Sequence, residues 1–331
     1  MSKIITIDSS GLVHRAIFSW NVQNKLKKQG KMKMVLPSSY NYFQMLIGIL
    51  KRIGVEKDDT IIIAGDGRNS WRKAFYPEYK AQRKAFRESY EDIDWTYHYG
   101  IIGKVLDQLK ESTNWNVVWL SKCFNYCDLY FTKEGDKFLT EEKIPDWDME
   151  FGIEADDVMA YACQYFKDKE VVVVTGDADL EQLAVYSNTK IFTMNVKYKG
   201  GRGVYKVIPN GYKILEKKIR LGDVSDNILP GRTDEGTEND AKIRELIIDL
   251  IHLPEFVTEP IKEAFESMKP NELDLNGLPF PKSLAKRFPQ IYTEAHIITY
   301  EDCIKRAEKK KKQASQKRKQ KKLEKEESLR S

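Results

Sequence analysis

Nine carboxylates stand where segments of the chain end or begin, and they are the residues most able to do chemistry. Asp8 follows "IITI", Asp66 follows "IIIAG", and Asp177 and Asp179 follow "VVVVTG". Glu154, Asp156 and Asp157 open a helical pattern at "IEADDVMAYACQYF", and Asp223 and Asp226 lie in "LGDVSDN". Like charges a few ångströms apart raise at least one pKa unless something positive sits between them. The Asp177–Asp179 pair is therefore either a solvated turn or a place for a cation. Ordinary roles are open to the others: acids cap helix N-termini and form turns. Capping does not explain why buried strands repeatedly stop on acids. If the nine converge, an all-oxygen donor set selects a hard cation, Mg²⁺ or Mn²⁺, over zinc. The four histidines (His14, His98, His252, His296) show no paired spacing. Two such ions can clamp an in-line phosphoryl displacement.

Convergence depends on the elements that carry the acids. "KIITID", "TIIIAGD" (60–66), "NVVWL" (116–120) and "VVVVTGD" read as short apolar strands, and residues 9–20 have helical spacing. "PSSYNYFQMLIGILKRIG" is a helix with Pro and Ser at its start and Gly54 at its end. Strand and helix patterns alternate, which predicts an α/β fold: a central, mostly parallel sheet with helices on both faces. In such a sheet the ligand crevice lies at the carboxyl ends of the strands, where these acids fall. Residues 121–150 are irregular with a hairpin-like "LYFTKEGDKFLT", and "KIFTMNVKYKGGRGVYKV" reads as a strand plus hairpin. Beyond residue 207 the pattern turns helical, which predicts a smaller helical C-terminal domain over 208–304. No internal repeat is present.

The chain has 331 residues, 41% of them hydrophobic, enough for one large domain or two smaller ones. No apolar run approaches the roughly 20 residues of a membrane span, and the N-terminus does not read as a signal peptide. Four cysteines without framework spacing suggest reduced thiols and a cytoplasmic location, that of the host cell if the source is viral. Residues 305–322 hold eleven Lys or Arg against one Glu, so an acidic body carries a basic tail expected to be poorly ordered. A run of this kind adds salt-sensitive attraction to nucleic acid. No P-loop, complete dinucleotide fingerprint or nucleophile elbow is present.

Directly after Asp66, residues 68–88 contain seven Lys or Arg against two Glu, interleaved with Trp71, Phe75, Tyr76, Tyr79 and Phe86. Basic groups grip phosphates and aromatics stack on unpaired bases, so the mixture suits single-stranded nucleic acid. The alternative is an amphipathic helix with a solvated basic face. The segment offers Arg68, Arg72, Lys73, Tyr79, Lys84 and Arg87 as contacts.

In order and spacing, "AGDGRNSWRKAFYPEYKAQR", "IEADDVMAYACQYF", "VVVVTGDADLEQLA" and "LGDVSDNILPG" resemble the motifs of the 5′ nuclease family. That family comprises flap endonucleases, phage replication 5′-3′ exonucleases and the 5′-nuclease domains of bacterial DNA polymerases. The likeness covers residues 1–232. It implies a PIN-like catalytic domain over 1–207 with a helical arch at about 80–99. It also implies a metal-dependent nuclease that cuts near 5′ ends or junctions during primer removal and phage DNA replication. Under the resemblance Asp8, Asp66, Glu154, Asp156 and Asp157 form a first metal cluster. Asp177 and Asp179 bridge to a second, completed by Asp223 and Asp226, with two or more Mg²⁺ ions for which Mn²⁺ substitutes. Lys80 and Arg83 are the implied catalytic pair at the arch base, and Arg72 a phosphate-positioning neighbour. The implied partners are DNA or RNA–DNA hybrid with single-strand/duplex junctions, and replisome proteins, met by a monomer. A PIN-type endoribonuclease, or a non-catalytic DNA-binding replication protein on the same fold, is the alternative.

Two stretches depart from the family pattern. "GRTDEGTENDAKIRELI" lacks the glycine spacing of the family's helix–hairpin–helix, which makes 208–304 a degenerate version with Lys242 as its phosphate contact. The stretch 121–150 has no counterpart in a minimal family member.

Overall fold

Uninterrupted Ile and Val runs have no polar face, so a strand built from them must be covered on both sides. The computed structural model of the chain, which describes residues 2–140, 146–194, 203–229 and 238–269, meets that demand with a six-stranded sheet. Its strands are β1 (Ile4–Asp8), β2 (Thr60–Gly65), β3 (Asn116–Trp119), β6 (Val171–Thr175), β7 (Thr189–Thr193) and β8 (Val204–Lys206), in the spatial order β3-β2-β1-β6-β7-β8. The first five run parallel and β8 is antiparallel at the edge. From β1 the chain builds one side of the sheet and then returns to build the other. The topological switch point therefore lies between β1 and β6, and a ligand crevice is expected at their carboxyl ends.

Alternation along the strands sorts the core into two layers. Ile5, Ile7, Ile61, Ile63, Val172 and Val174 face helices α1 (Ser9–Lys28), α2 (Ser38–Ile53) and α5 (Trp95–Ser112). Ile4, Ile62, Val171 and Val173 face α8 (Ala155–Tyr165), α10 (Glu238–Ile248) and α11 (Glu255–Glu266). Each such side chain contributes roughly 1.5–3 kcal/mol by leaving water. The α/β fold with helices on both faces is as the sequence predicts. Helix α2 ends at Gly54 with φ 73°, a left-handed cap that favours glycine. Helix α1 runs eight residues beyond the expected Trp20.

The described part of 208–304 does not stand apart from the sheet. Leu215 of α9 (Gly211–Leu221), Ile247, Val257, Ile261 and Phe265 join the hydrophobic cluster around α8. Residues 270–304 and the basic tail at 305–331 lie outside the described residues, as do Gly200 and Gly201 of the expected β7–β8 hairpin.

The hairpin expected within 121–150 is a correction. Residues 126–138 form two short helices, α6 (Tyr126–Tyr130) and α7 (Lys133–Phe138). Thr132 caps the second, its Oγ1 accepting from Gly135 N at 2.9 Å, so "KEGD" is a helical first turn and not a strand-linking loop. The strand character lies at the ends of the segment, where β4 (Phe124–Asn125) pairs antiparallel with β5 (Glu150–Phe151). Among the described residues no helix is long and apolar enough to cross a membrane.

Candidate active site

At the carboxyl ends of β1, β2 and β6 the fold leaves a cavity of about 720 Å³, lined by Asp8, Asp66, Glu154, Asp156 and Asp177. Each acid is fixed by its element's end. Asp8 closes β1 and caps α1, its Oδ1 accepting from Gly11 N at 2.8 Å. Asp66 Oδ1 accepts from Ala155 N at 3.0 Å, which ties the end of β2 to the first turn of α8. Asp177 Oδ1 accepts from Asp179 N at 3.0 Å, and Asp156 stands in the first turn of α8.

Among the described residues, no Lys or Arg forms an ion pair with Asp8, Asp66, Asp156 or Asp177. Their mutual field shows in their acidities. Burial, with Asp66 and Asp177 adding to it against the opposing Gly11 N–H, pushes the Asp8 carboxyl up to about 7. Burial, then Asp177 and Asp8, raise Asp156 well above the usual carboxylate range.

The other five acids have basic partners. Asp157 is fully buried. Its Oδ2 accepts from Trp71 Nε1 (2.9 Å), Arg72 Nη1 (3.0 Å) and Glu154 N (3.0 Å), and its Oδ1 from Arg72 Nη2 (2.6 Å). Arg72, itself 2% exposed, also donates to Glu154 Oε2 at 2.9 Å and to Ile247 O at 2.7 Å. Two expectations are corrected here. Asp157, fully buried with both oxygens accepting from Arg72, serves to lock α3 (Arg72–Phe75) to α8 and does not face the cavity, and Arg72 is an internal cation with no surface for a phosphate.

Tyr79, expected as a nucleic-acid contact, is buried as well. Its hydroxyl lies 2.8 Å from Glu154 Oε2 and 3.0 Å from Asp226 Oδ2, one proton between two carboxylates. Burial and then Glu154 raise its pKa well above the usual range. Lys80 Nζ donates to Glu154 Oε1 at 2.6 Å and lies 3.7 Å from Asp226, while Arg83 Nη2 donates to Asp226 Oδ1 at 2.8 Å. Although burial would raise Glu154, Lys80 and Arg72 outweigh it and bring its carboxyl down to about 2. Burial would likewise lower Lys80, but Glu154 and Asp226 leave it raised. Lys80 holds a left-handed φ of 57°, uncommon for a side chain with a Cβ, and its N–H donates to Asp226 O at 2.9 Å.

Asp179 and Asp223 share one lysine: Lys218 of α9 bonds both. The second acidic group expected from sequence is thus divided, with Asp226 on Lys80 and Arg83, and Asp179 with Asp223 around an ammonium. The cation beside Asp179 in this structure is a lysine. Lys218 was not anticipated, and only its place five residues before Asp223 hints at it.

The basic face is split too. Arg68, Lys73, Lys80, Arg83 and Arg87 line the cavity with Phe86, Tyr99 and Trp119. Lys84 is exposed on α4 (Gln82–Glu88), and Lys242 sits on α10. Phe18 holds α4 and its flank against α1 through edge contacts to Phe86 (6.4 Å) and Tyr90 (5.2 Å). Gly11 was missed as well: a Cβ there would meet Asp8 Oδ2 at 2.5 Å, so the glycine in "DSSG" lets the carboxylate lie back over its helix.

As placed, no three His, Cys, Asp or Glu among the described residues stand close enough to ligate one ion together. The donor set of the cavity nonetheless fits a hard divalent cation. Asp8, Asp66, Asp156 and Asp177 give it four carboxylates without a basic partner, an oxygen-rich set that suits a hard cation even though His14 also lines the cavity.

No family model matches the chain, and no curated protein does. Solved structures do. The T5 D15 protein co-crystallised with metal ions is 14% identical, with a TM-score of 0.43 over 92% of this chain and 98% of its own. A lysine-to-alanine mutant of T5 5′-exonuclease is 14% identical, with a TM-score of 0.38 over 92% and 99%. T5 5′-exonuclease with bound zinc is 15% identical, with a TM-score of 0.43 over 92% and 98%.

Proposed function

We propose that this protein is a divalent-metal-dependent, structure-specific 5′ nuclease that hydrolyses phosphodiester bonds near 5′ ends or single-strand/duplex junctions. The observation that carries the reading is the cavity, where four carboxylates without basic partners face a wall of Arg, Lys and aromatic side chains. An anionic substrate needs the wall, and only a cation makes the floor compatible with it.

Asp8, Asp66, Asp156 and Asp177 would hold the metal. Bound there, it supplies Lewis-acid activation of a water and charge for the leaving oxygen. The chain's own residues do the rest. Lys80 is oriented by Glu154 and lines the cavity, where its ammonium can reach a phosphate oxygen as negative charge grows. Arg83, half-buried on Asp226, is the second such group, and Arg68, Lys73 and Arg87 draw the strand in. Tyr79 and Arg72 act behind them by fixing Glu154.

The test is cleavage of labelled flap, nicked and RNA-primed DNA duplexes with Mg²⁺ and with EDTA. Metal-dependent release of short 5′ products is expected. Binding of all three without cleavage would support a non-catalytic DNA-binding protein, and cleavage confined to unstructured RNA would support an endoribonuclease.

A further inference from the structure

Trp119 is the last residue of β3, and it lines the active-site cavity while remaining 49% exposed. A tryptophan half in water at the rim of a cleft offers a large flat face that a ligand entering the cleft can cover. The strand register sets its position. Trp119 pairs with Gly65, the residue before Asp66, and a Cβ at Gly65 would touch the indole at 3.4 Å. The glycine thus leaves room for the ring to rest against the strand, while the rest of the indole stays exposed along the cavity. Among the described residues no other ring contacts it. Leu106 and Val13 add apolar wall, and Arg68 and Lys73 add positive charge in the same cavity.

On the reading of this cavity as a nuclease site, we propose that Trp119 is a nucleobase platform, a subsite that stacks one unpaired base of the strand whose phosphate lies at Asp66. A flat π-face beside guanidinium and ammonium groups suits a nucleotide, since every base can stack and the cations take its phosphates. Gly65 places platform and carboxylate on adjacent residues of one strand pair, so the spacing between stacked base and phosphate is fixed by the sheet.

The test is an affinity cycle in EDTA, where no cleavage occurs. Flap-bearing DNA duplexes, intact or with one abasic nucleotide at successive flap positions, are titrated into wild type, Trp119→Ala and Trp119→Phe. Trp119→Ala is expected to weaken binding of intact DNA by about tenfold, the scale of one base–aromatic stack, and Trp119→Phe by much less. In wild type, one abasic position should bring a similar loss, and that loss should vanish in Trp119→Ala. Equal abasic penalties in the two proteins would overturn the platform. So would a Trp119→Ala protein that melts earlier yet binds DNA as wild type does, since the indole would then cover only the chain's own residues. Failure of wild type to bind any flap would sink the nuclease reading itself, and is distinct from a cycle that simply shows no coupling.

Discussion

Two sets of carboxylates meet at the ends of the same strands, and the fold treats them in opposite ways. Asp8, Asp66, Asp156 and Asp177 share a cavity with no bonded cation, and two of them hold their protons more tightly than a free carboxylate. Glu154, Asp157, Asp179, Asp223 and Asp226 each meet a lysine or arginine, and Glu154 loses its proton more easily than usual. Acids that look equivalent in the motifs therefore divide into a set left without a bonded cation and a set held in ion pairs within the fold. Substitution should separate them.

The largest effect is expected in the neutralised set. Asp157→Ala strands the Arg72 guanidinium in the core, and breaking one side of a buried pair costs about 3–5 kcal/mol. Chemical denaturation should show that loss in metal-free protein. A variant as stable as wild type would mean that Arg72 finds another partner. Asp66→Asn and Asp177→Asn should behave in the reverse manner, with turnover falling by roughly a hundredfold or more and metal-free stability unchanged or improved. If both variants cleave within a few-fold of wild type, the cavity is not the metal site.

Cations should act on the free set alone. Mg²⁺ at a hundredfold excess over its Kd should stabilise the protein by roughly 2.7 kcal/mol, because it binds the assembled site and not the unfolded chain. In Asp66→Asn the gain should shrink, whereas Lys218→Ala should leave the gain from the cavity in place. Thermal melts with and without Mg²⁺ decide this, and a wild-type melting temperature indifferent to the ion would count against the division.

The smallest effect is in pH. Asp8 is raised from 3.8 to about 7, so its ionised form opposes folding. From this group, stability present below pH 3.8 is lost as pH rises through 7. Glu154 is lowered from 4.5 to about 2, so its contribution is complete above pH 4.5 and lost as pH falls through 2. In EDTA the melting temperature should therefore decline between about pH 4 and 7, a decline that Asp8→Asn flattens and saturating Mg²⁺ removes.

How much of this could be read from the sequence depended on the range of the interaction. The runs "IITI", "TIIIAG" and "VVVVT" are apolar on both faces and had to lie inside a parallel sheet, with their terminal acids at its carboxyl edge. Pro37 and Gly54 bounded α2 through local geometry alone. Whether a given acid is neutralised was not legible, because its partner comes from far along the chain: Arg72 is 85 residues from Asp157, and Lys218 is 39 from Asp179. The basic–aromatic run after Asp66 reads the same whether a guanidinium points in or out. The four-residue α3 is too short for a period to tell, and Tyr79 follows it in a turn, so the burial of neither Arg72 nor Tyr79 is legible from spacing. The two helices within 126–138 were hidden by a glycine that usually signals a turn.

The stretch between Leu120 and Ile153 leaves and rejoins the fold at a single seam. Ile153 N donates to Leu120 O at 3.0 Å, and Gly67 and Gly152 pass so closely that a Cβ on either would lie 2.8 Å from the other's Cα. The two ends of this excursion are stitched together before it begins, like a sleeve hemmed at the cuff. Its length is therefore uncoupled from the spacing of Asp66 and Glu154, and each doubling of a closed loop adds only about 0.6 kcal/mol of closure entropy. What limits change there is the excursion's packing on the body, through Phe138 against Phe75 and Phe124 against Phe256. Descendants of this chain could lengthen, shorten or re-purpose the segment while the acidic cavity floor stayed where it is.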